Sequence, residues 1–248
     1  MVPEIKYLEE KAKDLRKKTL DLTLKTDLAH FGGSFSIIEL LISLYEVILK
    51  KEDKFILSKG HGCPPWYVIL REKGFNPKLS GHPDIDQDNG IYCTTGSLGH
   101  GLPMGIGMAM SRKFKNKNGH VYVLMSDGEF QEGTTWESLL IASKYKLDNL
   151  TAIIDYNKIQ ASDFIENVLP LNDLGKKTEA FNWRVTEING HSYHQIIDAL
   201  SKKEPEKPYM IIAHTIKGKG ISFMENSTDW HSKRPTDEQF NIAYQELK

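Results

Sequence analysis

Two short apolar runs near the middle of the chain each end on side chains that can hold a hard cation. Val121 to Met125 closes at Ser126, Asp127 and Gly128, and Leu150 to Ile154 closes at Asp155, Tyr156 and Asn157. Carboxylate and amide oxygens are the donors magnesium and calcium take. Magnesium is commonly held by one or two protein oxygens plus phosphate and water. The Asp127 carboxylate, the Asn157 amide oxygen and a backbone carbonyl near Ile159 suit an ion carried on a diphosphate. Gly128 and Glu129 stand just before a helical pattern, where free N–H groups favour an anion. The same residue types also end strands and cap helices with no ligand present. Taken alone, the pair supports both readings.

Histidine is the second chemical signal. His30, His61, His82 and His100 each stand in or beside a turn containing Gly or Pro, and histidine is the side chain that exchanges protons closest to neutral pH. His120, His191, His194 and His214 read as structural hydrogen-bonding residues. From Gly60 to Gly133 the chain holds 13 of its 19 glycines, so this region must turn tightly or approach something closely. Ile216-Lys-Gly-Lys-Gly-Ile lacks the spacing of a phosphate loop.

The elements that must position these groups follow from periodicity. Between the two apolar runs, Trp136, Leu139, Leu140 and Leu147 fall at helical spacing, which makes Val121–Asn157 a strand–helix–strand unit. In open parallel sheets ligands bind outside the carboxyl ends of the strands, so Asp127 and Asn157 are expected to converge on one crevice. The pattern predicts helices over 4–25, from Ile37 to Leu49, Trp66 to Lys73, from Gly101 through Met110, Gln195 to Ser201, and Asp237 to Leu247. It predicts further strands at Phe55–Leu57, from Trp183 to Ile188, and at Tyr209–His214. The stretch 158–182 reads as a long loop with one short helix. The mostly apolar Ile37–Leu49 helix fits either a core or a subunit interface. Alternating strands and helices give an α/β class with a mostly parallel central sheet flanked by helices, expected as a single domain over 1–248.

Composition narrows the function classes. The chain has 248 residues, 40% hydrophobic and 26% charged, with a formal net charge of −1. Nothing in that balance favours nucleic acid or an anionic membrane. The N-terminus lacks the apolar core of a signal peptide, and no apolar run approaches the roughly 18 residues of a membrane span. A cytoplasmic location is expected. Cys63 and Cys93 form no disulfide framework or zinc pattern and read as packing residues.

The combination of motifs is far more specific than any one of them. Ser126-Asp-Gly-Glu, then Glu132-Gly-x-x-Trp-Glu, then Asp155-Tyr-Asn157 resembles the thiamine-diphosphate fold in its transketolase version. Ser126 stands where the family has a glycine. Ser58-Lys-Gly-His61-Gly, Gly81-His82-Pro, Thr94-Thr-Gly-Ser-Leu-Gly and Thr215-Ile-Lys-Gly-Lys-Gly-Ile-Ser-Phe-Met-Glu-Asn follow in the family's order. Asn189-Gly190-His191 is similar to a family turn that usually begins with aspartate. The resemblance spans nearly the whole chain.

The resemblance implies thiamine diphosphate and Mg2+ (or Ca2+) as cofactors. Asp127, Asn157 and the Ile159 carbonyl would bind the metal. Gly128 would meet the diphosphate through its backbone, with Glu129 beside it and His61 and His231 near the same group. Gly96, Ser97 and Leu98 would touch the ring end. His30 and His82 match histidines facing the sugar, and Glu132 matches a glutamate linking paired active sites by a proton network. His100 stands where the family often has glutamine. The implied reaction transfers a two-carbon ketol unit between sugar phosphates or related sugars, with the cofactor as nucleophile and electron sink. The pyrimidine-binding domain that in this family normally follows in the same chain is expected on a separate polypeptide, because the sequence ends at Lys248. The resemblance is therefore to the N-terminal, diphosphate-binding subunit of a split transketolase, inactive alone and paired in an α₂β₂ assembly with a C-terminal subunit. Two other readings stay open: another thiamine-diphosphate enzyme, of the deoxyxylulose-phosphate synthase or 2-oxoacid type, and a non-catalytic cofactor-binding subunit.

Overall fold

Strands buried on both faces need no polar alternation, and the apolar runs of this chain form a wholly parallel sheet covered by helices on each side. The computed structural model describes residues 3–26, 28–202 and 204–248. The chain opens with α1 (Ile5–Leu24), the short α2 (Phe31–Phe35) and α3 (Ile38–Ser43), followed by a π-helical turn at Leu44–Ile48. β1 (Lys54–Leu57) leads through a turn at Gly60–Gly62 into α4 (Pro64–Glu72). A long glycine-rich stretch then reaches α5 (Gly101–Phe114), β2 (Val121–Ser126), α6 (Gly133–Lys144) and β3 (Leu150–Tyr156). Two short helices, α7 (Ile165–Val168) and α8 (Leu174–Ala180), precede β4 (Arg184–Asn189), α9 (Tyr193–Ser201), β5 (Tyr209–His214) and α10 (Asp237–Glu246).

The strand order is β1-β2-β3-β5-β4. Period two sends alternate residues to opposite layers. Phe55, Leu57, Tyr122, Leu124, Ile153 and Ile211 pack under α1, α3, α4 and α9. Ile56, Val123, Met125, Ala152, Ile154 and Ile212 pack under α5 and α6. A third cluster ties Leu20, Phe31 and Phe35 to Trp230 and Phe240, so the two ends of the chain meet.

Two expectations change in detail. The single helix expected from Ile37 to Leu49 is a six-residue α-helix followed by the π-helical turn, and Ile37, Leu41 and Leu44 are core. The interface alternative for that segment does not apply to those residues. The 158–182 stretch holds two short helices, not one. All five strands stand within a residue or two of their expected places.

The register sets up the site. Ser126 pairs with Asp155, and Asp155 with Ala213. The residues just past β1, β2, β3 and β5 therefore emerge together at one edge of the sheet.

Candidate active site

Four strand ends supply the polar floor of one cleft of about 290 Å³. Past β2, Asp127 is buried; its Oδ1 accepts from Gly128 N at 2.8 Å and its Oδ2 from Lys158 N at 2.5 Å. Past β3, Asn157 accepts from Ile159 N at 3.1 Å through Oδ1 and donates through Nδ2 to Asp155 Oδ2 at 2.9 Å. Asp127, Asn157 and Ile159 line the same cleft. Burial, then the nearby Asp155 carboxylate, pushes the Asp127 carboxyl up to about 7, against the pull of its two backbone donors. A bound dication would reverse that shift. Among the described residues no group of three or more His, Cys, Asp or Glu side chains is placed to hold a metal. The available donors are oxygens, a set that fits magnesium or calcium rather than zinc.

Two buried lysines flank these oxygens, and the sequence reading passed over both. Lys59 follows β1, Lys217 follows β5, and each is 1% exposed. The Lys59 ammonium pairs with Asp155. Asp155 also accepts from Ser36 Oγ at 2.7 Å, from Asn157 and from Thr215. Burial opposes ionisation of Asp155, but Lys59 and the hydroxyl donors outweigh it and hold the carboxyl below its usual range. Lys217 donates to two carbonyls, Ile159 O at 3.1 Å and Gln160 O at 2.7 Å. Among the described residues no carboxylate forms an ion pair with it. Burial, then the Lys59 charge, lowers its ammonium to about 8. A buried cation lacking a counter-ion is costly, and it faces the cleft that holds the oxygen donors. A magnesium-bound diphosphate would satisfy both. The Ile159 carbonyl already accepts from Lys217, and its second lone pair leaves room for a metal.

His30, His61, His82 and His231, the histidines expected to face the cofactor and the sugar, converge on the cleft. His30 lies 5.7 Å from His61, 6.0 Å from His82 and 5.6 Å from His231 between ring centroids, and His61 lies 5.2 Å from His231. Burial, then Lys59, holds His61 well below its ordinary value; burial, then Lys217, lowers His231 to about 4; burial, then His82, lowers His30. These three rings are neutral at pH 7, each with one donor and one acceptor nitrogen. His231 Nδ1 lies 3.4 Å from the Lys217 ammonium, which makes it the acceptor.

The remaining expected residues divide. Gly96 and Leu98 line the cleft, and Gly96 has φ +133° with His82 packed so closely that a Cβ would sit 2.7 Å from the ring. A Cβ on Gly128 would meet nothing nearer than Gln160 at 3.6 Å, so its backbone is open to a ligand. Glu132 is exposed at the rim. Ser97 points outward and pairs with His100 at 3.3 Å. Neither Ser97 nor His100 lines the cleft. Gln131, Gln160 and Ala161 do line it, and no sequence signal marked them.

Glu129 is also off the cleft. Helix α6 begins only at Gly133, and Asp127–Gln131 is a 3₁₀ turn that turns the Glu129 side chain into the protein. Its carboxylate accepts from Ser58, from Gly99 N at 3.0 Å and from Ser126 N at 2.9 Å. It thus ties the Gly96–Gly99 loop to the ends of β1 and β2. Glu129→Gln places an amide donor against a buried N–H, and we expect a loss of about 1–3 kcal/mol in stability. A urea unfolding midpoint checks this, and an unchanged midpoint would rule out the tie.

Residues 9–246 match the family model described as transketolase, thiamine diphosphate binding domain. The chain belongs to the transketolase family. It is 39% identical to one of the subunits of the apulose-4-phosphate transketolase of Actinobacillus succinogenes, over 97% of this chain and 96% of that one. It is 37% identical to a 6-deoxy-6-sulfo-D-fructose transketolase subunit of a Clostridium species, over 97% and 96%. Human transketolase is 33% identical over 93% of this chain but only 40% of its own length. Among solved structures, the transketolase of Campylobacter jejuni superposes with a TM-score of 0.88 at 28% identity, over 99% of this chain and 43% of that one. The chain thus spans about two fifths of the full-length transketolases and nearly all of the relatives named as subunits. The transketolase fold accounts for the parallel sheet and for the cleft at its carboxyl edge.

Proposed function

We propose that this chain is the diphosphate-binding half of a two-subunit transketolase that transfers a two-carbon ketol unit between sugar phosphates or related sugars. The observation that carries the reading is the juxtaposition, in one cleft, of the Asp127, Asn157 and Ile159 oxygens with the buried Lys59 and Lys217 ammonium groups. Asp127, Asn157 and the Ile159 carbonyl hold magnesium. Lys217 and the Gly128 backbone take the diphosphate oxygens, with His61 and His231 beside them. Thiamine diphosphate supplies the cleavage and re-formation of a carbon–carbon bond beside a ketose carbonyl. His30 and His82 line the same cleft, where their rings orient sugar hydroxyls and pass their protons. Glu132 sits at the rim, where a second subunit can reach it.

The subunit names of the relatives from Actinobacillus and Clostridium support a partner subunit, which we take to carry the pyrimidine-binding domain in an α₂β₂ assembly. So do exposed apolar side chains of α5 and α6: Leu140 is 59% exposed, Ile141 is exposed next to it in sequence, and exposed Phe114 meets exposed Tyr145 just past α6, surface of the kind that marks protein contacts. We take residues 1–248 as one domain working in the cytoplasm; among the described residues no helix is long and apolar enough to cross a membrane.

The test is to prepare the chain alone and co-expressed with a pyrimidine-domain subunit, both with thiamine diphosphate and magnesium. Turnover of ketose phosphates with aldehyde acceptors is then followed. Cofactor binding and turnover by the pair, with none by the chain alone, is the expected result. Full turnover by the chain alone removes the two-subunit reading, and absence of cofactor binding in both preparations removes the cofactor reading.

A further inference from the structure

The loop that carries Lys217 is gripped at both ends by groups that never reach the cleft. Glu39, on α3 and buried, divides its carboxylate between two partners. Oε1 accepts from Arg16 Nη2 at 2.7 Å, and Oε2 meets His191 Nδ1 at 2.9 Å. Each partner then holds one end of the loop. Arg16 Nε donates to Lys219 O at 2.8 Å, and Ile216 N donates to His191 Nε2 at 2.9 Å. Because Nε2 accepts from a backbone N–H, the neutral ring must carry its proton on Nδ1, where it donates to Glu39. Gly220, at φ +97°, leaves a space in which a Cβ would come within 2.8 Å of Arg16 Nε. The loop therefore passes directly over the guanidinium.

We propose that His191 is a positioning residue: with Glu39 and Arg16 it brackets Ile216–Lys219 and so fixes the Lys217 ammonium toward the diphosphate. The idea rests on the proposed role of Lys217 and deepens it. Lys217 has a flexible four-carbon stem, and its exit from the backbone is held at residues 216 and 219 in addition to the bonds of Gly218 N to Gly32 O and of Asn226 N to Lys217 O. Arg16, on the N-terminal helix and outside the cleft, thereby acts on the cofactor site through the loop.

Gln and Asn separate the two bonds of His191. His191→Gln can place an acceptor near the Nε2 position and keep Ile216 N satisfied. His191→Asn mimics Nδ1, keeps a donor for Glu39 and releases Ile216 N. Binding of magnesium with inorganic pyrophosphate to the full chain is measured by calorimetry, each variant being made with and without Lys217→Met. Thermal unfolding of every variant is recorded alongside. We expect His191→Asn to weaken binding about tenfold and His191→Gln to stay within about threefold, as supporting groups do around metal sites. In the Lys217→Met background the Asn variant should add less than about twofold, since coupled residues are non-additive.

Equal losses for Asn and Gln, additive losses with Lys217→Met, or full affinity in a folded His191→Asn chain would each overturn the inference. If Lys217→Met binds pyrophosphate as tightly as the unsubstituted chain, the diphosphate reading of the cleft falls, and the positioning role with it. If His191→Asn does not fold, Arg16→Lys carries the same comparison, because it keeps a cation on Glu39 but gives up the fork to Lys219.

Discussion

Asp127→Ala is expected to weaken magnesium-dependent binding of thiamine diphosphate by at least about a hundredfold, the upper end of what groups behind a metal's own ligands contribute. Asp127 is the one carboxylate in the donor set; Asn157 and Ile159 bring only neutral oxygens. Lys59 is neutralised by Asp155, so without Asp127 the ligand phosphates alone would have to balance the dication and the Lys217 ammonium. Stability of the metal-free chain reports on the same group. An acid whose folded value is about 7 against an ordinary 3.8 binds more protons folded than unfolded between those values. Its contribution therefore falls as pH rises through that window and does not return above it. The alanine variant should lack this slope, although Gly128 N and Lys158 N lose their acceptor. Calorimetric titration with magnesium and thiamine diphosphate reads the affinity, and denaturant midpoints from pH 4 to 8 read the slope. Unchanged affinity would remove Asp127 from the metal site.

Asp155→Ala should cost about 3–5 kcal/mol in folding stability, the usual effect of stripping one partner from a buried ion pair. That is a large share of the 5–15 kcal/mol typical of a native protein. Lys59 is 1% exposed and Asp155 fully buried, so no solvent screens the ammonium left behind. Ser36, Asn157 and Thr215 lose their acceptor at the same time. The discriminating variant removes both charges: Lys59→Met with Asp155→Leu should recover the part of the loss that comes from the unpaired ammonium, with Ser36, Asn157 and Thr215 still lacking their acceptor, while binding diphosphate poorly. Urea unfolding of the single and double variants measures the stability, and pyrophosphate titration measures the binding. An Asp155→Ala midpoint close to that of the unsubstituted chain would show that the pair is dispensable.

The sheet was legible because strands buried on both faces read as unbroken apolar runs, and each run ended on a polar residue. That alone marked Asp127 and Asn157, and turns rich in glycine marked His30, His61 and His82. The lysines were not legible. A lone lysine is ordinarily solvated, and the burial of Lys59 depends on Asp155, 96 residues away in sequence. Lys217 was hidden differently: its loop fails as a phosphate loop because the ammonium, and not a run of backbone N–H groups, faces the cleft. Glu129 was misplaced since Asp-Gly-Glu after a strand looks like a helix start, whereas a 3₁₀ turn intervenes and turns the carboxylate inward. Ser97 shares a motif with Gly96 and Leu98, yet the turn sends its hydroxyl outward to His100. Spacing identifies a loop; it does not say which of its side chains face in.

Gly32 donates its N–H to Trp230 O at 3.0 Å and accepts from Gly218 N at 2.9 Å, and the Lys217 stem packs where its Cβ would be. These contacts join the first part of the chain to the last, and contacts of such long sequence separation form slowly because loop closure precedes any gain. During synthesis the N-terminal elements emerge first. Asp127 and Asn157 can reach their strand ends while the lysine that opposes them is still inside the ribosome. The cleft is thus among the last features to form, and its lining is complete only in a chain that has been made through His231.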